Sequence, residues 1–221
     1  MLPKVILYNL VSVDGRIDWF TPDVGLFYKL ASYWKEDATL AGSNTIFNPE
    51  DEVPEEDGLD FEQKKSPDDK RPLLVVPDSR GKVRNWHVLR KSGYWRGMVA
   101  LCSQSTPENY IEYLRKRHID YFIAGEDHVD LKVALEELNS RFGVNLVRVD
   151  SGGTLNGILL RLGLVDEISV LIDPSLVGGT TPRFLFRAPD LTSKEGVIRL
   201  KLSHVEELKN DIIWLRYEVI R

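Results

Sequence analysis

Glycines follow three apolar runs, each of which has the length of a buried strand. Gly42 ends "ATLAG", Gly125 ends "IDYFIAG", and Gly152-Gly153 follows "VNLVRV" within the stretch "DSGGTLNG". Helix starts offer unpaired backbone N–H groups and partial positive charge, and glycine lets a phosphate approach the backbone closely. Because ligands of α/β proteins gather at the carboxyl ends of strands, three such ends suit a ligand with several phosphates.

A second interpretation of "DSGGTLNG" stays open. A glycine pair between a strand and a helix is more often turn geometry than ligand contact. The dinucleotide fingerprint G-x-G-x-x-G and the P-loop G-x-x-x-x-G-K-[ST] are both absent from the sequence. The chain is therefore neither a plain Rossmann protein nor a Walker protein.

Asp78-Ser79-Arg80 follows the run "LLVVP", where a predicted strand enters a turn. An arginine beside a hydroxyl suits the 2′-phosphate of NADP, because guanidinium binds phosphate through two parallel hydrogen bonds. An exposed turn without a ligand accounts for the same residues, and on these residues alone it is the preferred interpretation.

Other reactive side chains give weaker signals. The histidines are scattered without metal-ligand spacing, so no metal site is predicted and each is interpreted as a surface or turn residue: His87, His118, His128 and His204. Cys102 lies inside an apolar run and is interpreted as a small core residue rather than a nucleophile. Trp19 follows the polar stretch "DGRID" and could stack on a planar ring, although core packing is the preferred interpretation.

The bulk composition limits the classes of function. The chain has 221 residues, is 43% apolar and 29% charged, and carries a formal net charge of −5. This acidic balance argues against nucleic acid as the main partner, since phosphate binding needs a basic face. The early run "VILYNLVSV" is too short and too polar for a signal peptide or a membrane span. With one cysteine and no disulfide scaffold, a reducing cytoplasm is the natural location.

Strand-like and helix-like patterns alternate along the chain, which predicts an α/β fold with a mainly parallel mixed sheet, helices on both faces and an antiparallel hairpin at the C-terminus. The predicted helices cover 24–35, 107–117, 131–142 and 154–162. The predicted strands include 4–12, a long one through "VDEISVLIDPSLVGG", and two in 197–221 around Lys209-Asn210-Asp211.

Residues 50–71 interrupt this pattern with charge, proline and glycine. An exposed acidic surface loop is the preferred interpretation, and a lid over a substrate site is the alternative. No linker of domain-separating composition is present, so residues 1–221 are predicted to form a single domain.

Several segments, in order over most of the chain, resemble the reductase domain of riboflavin biosynthesis, whose fold is similar to that of dihydrofolate reductase. "NLVSVDGRI" resembles that family's first strand and S-x-D-G-[KR] loop, "LAGSNTI" its V-G-x-x-T segment, and "LLVVPDSR" its V-V-x-D-S turn. "DSGGTLNGILLRLGLVDEISVLIDPSLVGG" resembles its E-G-G-x-T-L-N…G-L-V-D-E…P…G-G signature, a specific combination at this spacing.

The resemblance implies an NADPH-dependent reductase with a three-layer α/β/α fold, acting as a homodimer on a small molecule without metal or flavin. It implies a cofactor groove lined by Gly42, Ser43 and Thr45, a 2′-phosphate site at Ser79 and Arg80, and a pyrophosphate site at Gly152, Gly153, Thr154 and Leu155. Residues near the nicotinamide and substrate would be Asn9, Val11, Asp14 and Gly15, with Asp150 in the place of the glutamate of E-G-G.

The implied reaction is hydride transfer to a C=N or C=O carbon of the ring-opened ribosylamino-pyrimidine phosphate. Asp14 is the nearest carboxyl group that could deliver the proton, although the aspartate of a D-G turn can be purely structural.

One family segment is missing. In place of D-D-P-x-L-T-x-R, which holds the substrate's ribose phosphate, the chain has the acidic "FNPEDEVPEEDGLDFEQ". That stretch would not hold an anionic phosphate, which leaves two alternatives open: a reductase of this fold for a pterin or carbonyl substrate, or a non-catalytic nucleotide-binding or dimerisation module.

Overall fold

The computed structural model describes residues 1–48, 50, 52–56 and 68–221. Within these ranges the chain forms nine strands and six α-helices. The strands are β1 (Lys4–Ser12), β2 (Ala38–Leu40), β3 (Leu73–Pro77), β4 (Gly97–Cys102), β5 (Asp120–Ile123), β6 (Leu146–Val149), β7 (Glu167–Asp173), β8 (Leu200–Glu207) and β9 (Ile213–Val219). The helices are α1 (Val24–Ala31), α2 (Ser43–Ile46), α3 (Trp86–Lys91), α4 (Glu108–Lys116), α5 (Leu131–Phe142) and α6 (Gly153–Arg161).

The chain divides into two compact units. Unit 1 comprises residues 1–3 and 36–147, and unit 2 comprises residues 4–35 and 148–221, so each is assembled from two separate stretches of sequence. Strand β6 contributes residues to both units.

Unit 1 contains four consecutive parallel strands in the order β5-β4-β3-β2. The side chains of β2, β3 and β4 are mostly apolar and buried, as expected for strands covered on both faces. Trp86 of α3 and Tyr110 of α4 are fully buried in the core of this unit, where the Trp86 Nε1 donates to the Tyr110 hydroxyl over 3.2 Å. Cys102 is buried in the same core, as predicted.

Unit 2 is built on β1, which pairs with β7 in parallel. Strand β9 pairs with β7 and with β8, antiparallel in both cases. The predicted C-terminal hairpin is therefore present, and its turn contains Asn210 and Asp211 with φ of 62° and 59°. The ring of Tyr8 stacks on Phe27 with a centroid distance of 4.4 Å, which packs α1 against β1.

Local signals place some of the helix ends. Asp23 accepts a hydrogen bond from the Leu26 amide and starts α1, and Gly143, with a φ of 67°, ends α5 in the left-handed conformation that its type favours. Other ends differ from the prediction. Helix α1 ends at Ala31, before Lys35 with its positive φ of 49°, and β7 ends at Asp173 before Pro174, so it does not reach the glycine pair at 178–179.

Two helices were not predicted, because α2 and α3 are too short for a helical period to stand out. Most of the predicted acidic loop at 50–71 lies outside the described residues. The alternative that this loop is a lid therefore stays a prediction. Within the described ranges, no helix combines the length and apolar composition needed to cross a bilayer.

Candidate functional site

The turn after β3 in unit 1 has a fixed shape. The buried Asp78 carboxylate accepts hydrogen bonds from the backbone amides of Lys82 (2.9 Å) and Val83 (2.8 Å). Gly81 has a φ of +62°, and a Cβ there would lie 2.6 Å from Cγ of Tyr110. Asp78 and Gly81 therefore fix the backbone of the turn, and the two residues between them are not needed for this.

Those two residues are Ser79 and Arg80. The Ser79 hydroxyl accepts a hydrogen bond from the Val129 amide over 3.0 Å. The Ser79 carbonyl accepts one from the Thr106 hydroxyl over 3.0 Å. Arg80 is exposed, and in the part of the chain that the structure describes its guanidinium has no hydrogen bond or ion pair. A hydroxyl fixed by its neighbours and a free cation thus lie side by side at the carboxyl end of β3.

Gly125, at the end of β5, has a structural reason to be glycine. Its φ is +89°, and a Cβ there would lie 2.2 Å from the carbonyl oxygen of His128 and 2.8 Å from the Asp130 nitrogen. The Gly125 carbonyl accepts from the Gln104 amide over 3.0 Å. These contacts join the loops after β4 and β5, and they favour the turn interpretation of this glycine over phosphate contact.

Gly42 caps α2 with extended backbone, and its carbonyl accepts from the Thr45 amide over 2.9 Å. Asn85, which follows the β3 turn, donates through its Nδ2 to the Ile46 carbonyl over 2.9 Å. Unit 1 therefore brings together, at the carboxyl ends of its strands, all the cofactor residues predicted there: Gly42, Ser43, Thr45, Ser79, Arg80 and Gly125.

In unit 2, the glycines of "DSGGTLNG" have different surroundings. Gly152 is the N-cap of α6, and a Cβ there would be in ordinary contact, 3.5 Å from Cδ1 of Ile17. A Cβ on Gly153 would lie 2.0 Å from the carbonyl oxygen of Phe184, and one on Gly157 would lie 2.0 Å from that of Arg187. Gly153 and Gly157 are therefore required by the close approach of the chain at 184–187, whereas packing does not require a glycine at 152.

A buried amide network fixes the same turn. Asn9 of β1 donates through Nδ2 to the Ser151 carbonyl over 2.8 Å, and its Oδ1 accepts from Asn156 over 2.9 Å. Asn156, fully buried on α6, also donates to the Leu185 carbonyl over 3.1 Å. Both functional groups of Asn9 are thus engaged inside the protein, which favours a positioning role over direct substrate contact.

Asp14 makes three hydrogen bonds. Its carboxylate accepts from the Ser12 hydroxyl (2.6 Å), the Gly178 amide (2.7 Å) and the Val177 amide (3.2 Å). These bonds favour the charged form and lower the pKa of Asp14 to about 2, the Ser12 hydroxyl being the largest cause. A carboxyl group with this pKa is ionised at neutral pH. It holds the Gly178-Gly179 turn and is poorly suited to donate a proton.

The remaining predicted residues of unit 2 lie near these groups. Gly15 has a φ of +77° with open space where a side chain would be, and its carbonyl accepts from the Leu185 amide over 3.0 Å. Asp150 lies 3.4 Å from Nη1 of the buried Arg148. Thr154 is exposed on the first turn of α6, whereas the side chains of Val11 and Leu155 are buried and only their backbone is available to a ligand.

Arg16 was not assigned a role in the sequence analysis, although it occupies the [KR] position of the S-x-D-G-[KR] motif. Its side chain is only 1% exposed, its guanidinium donates to the carbonyl (2.6 Å) and the hydroxyl of Thr181, and it stacks on the ring of Phe184 at 4.6 Å. The motif position was the available signal for this buried cation.

The described part of the acidic segment contacts unit 1 through Glu56. The Glu56 carboxylate pairs with the guanidinium of Arg117, and it also lies 3.4 Å from Nδ1 of His87. His87 is buried, and its Nε2 lies 2.8 Å from the Pro54 carbonyl, so its interpretation as a surface residue was wrong. Among the described residues, no group of three or more histidine, cysteine, aspartate or glutamate side chains could hold a metal ion.

Relatives of the chain are found by sequence. The profile of the RibD C-terminal domain family matches residues 3–214. A 2,5-diamino-6-ribosylamino-4(3H)-pyrimidinone 5′-phosphate reductase from Methanothermobacter thermautotrophicus is 30% identical over 222 residues, covering 96% of this chain and 97% of that relative. A protein of the same name from Archaeoglobus fulgidus is 32% identical over 191 residues, covering 81% and 84%.

Solved structures share the fold. Acinetobacter baumannii RibD has a TM-score of 0.70 at 19% identity over 100% of this chain, which spans 59% of the RibD chain. The Saccharomyces cerevisia riboflavin biosynthesis reductase Rib7 has a TM-score of 0.67 at 20% identity, covering 99% of this chain and 90% of Rib7. The predicted α/β fold of the dihydrofolate reductase type is thereby confirmed. Because the family profile matches residues 3–214, the chain belongs to the RibD C-terminal domain family, as the motifs in its sequence predicted.

Proposed function

We propose that this chain is an NADPH-dependent reductase that transfers a hydride to a ribosylamino-pyrimidine 5′-phosphate in riboflavin biosynthesis. The observation that carries the proposal is the 30% identity to a relative named as such a reductase, along 97% of that relative's length.

In the proposed reaction, the ring-opened ribosylamino group presents a C=N or C=O carbon. A C–H bond forms at that carbon, the π electron pair moves to the heteroatom, and a proton is added there. Bound NADPH supplies the hydride, and the protein supplies orientation and electrostatics.

The residues at the end of β3 fit the 2′-phosphate that distinguishes NADPH from NADH. Arg80 is exposed and unpaired within the described residues, so binding an anion costs no existing ion pair. The adjacent Ser79 is fixed by Val129 and Thr106, and its hydroxyl hydrogen can still be donated to a phosphate oxygen. We assign the groove beside these residues to Gly42, Ser43 and Thr45.

For the pyrophosphate, the proposal relies on Gly152, Thr154 and the first backbone amides of α6, including that of Leu155. Gly152 is the N-cap of α6, and the exposed Thr154 adds a hydroxyl at the start of this helix. Gly153 serves mainly to pack α6 against the chain at 184–187. Asn9 and Asn156 stabilise the turn at 151–153 through their buried hydrogen bonds.

The proton source is separate from these residues. Asp14 stays a candidate by position, but its three hydrogen bonds hold its pKa at about 2 and count against it. Water or the substrate itself can deliver the proton. Single-turnover oxidation of NADPH by Asp14→Asn tests this directly, because an unchanged rate across pH removes Asp14 as the acid.

Cofactor binding tests the proposal most economically. NADPH at 100-fold excess over its Kd should stabilise the chain by about 2.7 kcal/mol in thermal unfolding. Arg80→Ala should weaken NADPH binding about 10- to 100-fold and leave NADH binding unchanged, since a charge-assisted pair is lost. Arg141→Ala, an exposed arginine on α5, is the matched control. Absence of any NADPH-induced shift would contradict the proposal and favour a non-catalytic module.

A second candidate function is a reductase of the same fold for a different pterin or carbonyl substrate. The acidic composition of residues 50–71 favours it, because the resemblance implies basic groups in this segment. Tight NADPH binding without turnover of the pyrimidine phosphate would support this candidate instead.

The proposal includes a homodimer in a reducing cytoplasm. Strand β8 supports the dimer, since Leu200, Leu202 and Val205 are exposed on it and an edge strand has unpaired backbone groups. A second copy of this chain would cover them. Light scattering should give twice the 25.3 kDa chain mass, and a monomer at micromolar concentration would refute this part.

A further inference from the structure

Trp19 has an unusual conformation in unit 2. Its side chain is 83% exposed and its φ is 69°, so the preferred sequence interpretation, core packing, was wrong. A bulky residue at positive φ is strained. Because the Trp19 ring stays in water, no hydrophobic burial offsets this strain. Backbone strain of this kind clusters at active sites and ligand-binding positions.

The loop that carries Trp19 is firmly held. The buried Arg16 guanidinium binds Thr181 and stacks on Phe184, and the Arg16 amide donates to the Ser12 hydroxyl over 3.0 Å. The Ile17 amide donates to the Arg183 carbonyl over 3.3 Å. The Trp19 indole is therefore exposed on a loop whose backbone is held in place.

A cation is paired with the residue that precedes Trp19. Asp18, the residue before Trp19, lies 3.6 Å from Nε of Arg16 and 3.5 Å from Nη1 of Arg183, and both of its oxygens are buried. The Arg183 side chain is 66% exposed. Two guanidinium groups thus share one carboxylate, which leaves a net positive charge on the loop that carries Trp19 and an Arg183 that can bind a second anion.

We propose that Trp19 and Arg183 bind the substrate: the indole stacks on the pyrimidine ring, and the guanidinium binds the 5′-phosphate. This inference rests on the proposed function and explains how the chain could do without the family's basic segment. The indole offers a flat apolar face for a planar heterocycle, and the guanidinium offers paired donors for phosphate oxygens. Asp18 precedes Trp19 in the chain and pairs with Arg183, so this loop offers both a ring and a cation, which suits a ligand that has both a ring and a phosphate.

Binding of two ligands tests the proposal, with the pyrimidinone ribosylamino 5′-phosphate and its nucleoside without the phosphate as probes. Kd is measured by calorimetry with NADP⁺ present. Arg183→Ala should raise the Kd of the phosphate about 10- to 100-fold and that of the nucleoside less than 3-fold. Trp19→Ala should weaken both probes about 5- to 100-fold, and Trp19→Phe should restore most of the affinity.

The controls are Arg141→Ala and Tyr94→Ala, which remove an exposed arginine and an exposed aromatic from unit 1 and should change neither Kd. Equal effects of Arg183→Ala on both probes, or unchanged binding in Arg183→Ala and Trp19→Ala, would overturn the inference. Turnover of the phosphate by the unmodified protein is measured in parallel. If turnover occurs while these variants bind normally, only the inference fails; if neither binding nor turnover occurs, the proposed function fails with it.

Discussion

Gly157 provides a sensitive test of how "DSGGTLNG" is built into the fold. Alanine inside a helix is ordinarily more stable than glycine by about 1 kcal/mol, so Gly157→Ala would be expected to stabilise an isolated α6. In this structure the added Cβ would lie 2.0 Å from the carbonyl oxygen and 2.6 Å from the carbonyl carbon of Arg187. Ordinary C···O contacts are about 3.3 Å or longer, so the overlap exceeds about 1 Å.

Relief of that overlap requires the chain at 184–187 or α6 to move. Overpacking of this kind costs about 1–3 kcal/mol and can cost more against backbone. We therefore expect Gly157→Ala to lower the free energy of unfolding by about 1–3 kcal/mol, with about 2–4 °C of Tm lost for each kcal/mol.

The matched control is Gly25→Ala in α1. The added Cβ there would meet only the Asp23 carboxylate oxygen, at 3.5 Å, so the variant should be neutral or up to about 1 kcal/mol more stable. Urea and thermal unfolding of the two variants give the comparison. A Gly157→Ala variant at least as stable as the parent would refute the packing explanation of this glycine.

Three further predictions concern buried and hydrogen-bonded groups. Because hydrogen bonds lower the pKa of Asp14 to about 2, from roughly 3.9 in the unfolded chain, its stabilisation is complete above about pH 5 and is lost as pH falls toward 2. The stability difference between the parent and Asp14→Asn should therefore shrink over that range, and a constant difference would contradict it. Burial raises the pKa of Glu167, but hydrogen bonds from Arg216 and Lys4 outweigh burial and leave it below its ordinary value; Glu167→Gln should cost roughly 3 kcal/mol in urea unfolding, against less than about 0.5 for the exposed Glu206→Gln. Burial raises the pKa of Cys102 to about 12, so at pH 8 only about one thiol in 10⁴ is ionised, and it should react with a disulfide reagent only after unfolding; rapid labelling of the folded chain would contradict this.

The parts of the fold that depend on local signals could be predicted from the sequence. Strand β1 was predicted with its observed bounds because it is one continuous apolar run, and α5 because its period is clear and Gly143 ends it. Helices α2 and α3 offered too few residues for a period to appear. The extent of β7 was overestimated because its apolar pattern continues past Pro174.

For the candidate site, contacts between distant residues could not be predicted from the sequence. The reason for Gly153 and Gly157 lies about 30 residues further along the chain, at 184–187. Asn9 is tied to Ser151 and Asn156, 142 and 147 positions away, so its engagement could not be anticipated from its type. His87 is buried because Pro54 and Glu56 cover it. Family motifs identified the segments that form the candidate site. The roles of their residues became clear only from long-range contacts in the structure.

Isotope transfer from NADPH to the pyrimidine phosphate tests the proposed reductase activity directly. The chain is incubated with the 2,5-diamino-ribosylamino-pyrimidinone 5′-phosphate and NADPH deuterated at both C4 positions, and the product is analysed by mass spectrometry and NMR. We expect a product with one deuterium, on the former anomeric carbon of the ribose chain. NADPH that binds but transfers no deuterium to this substrate would contradict it.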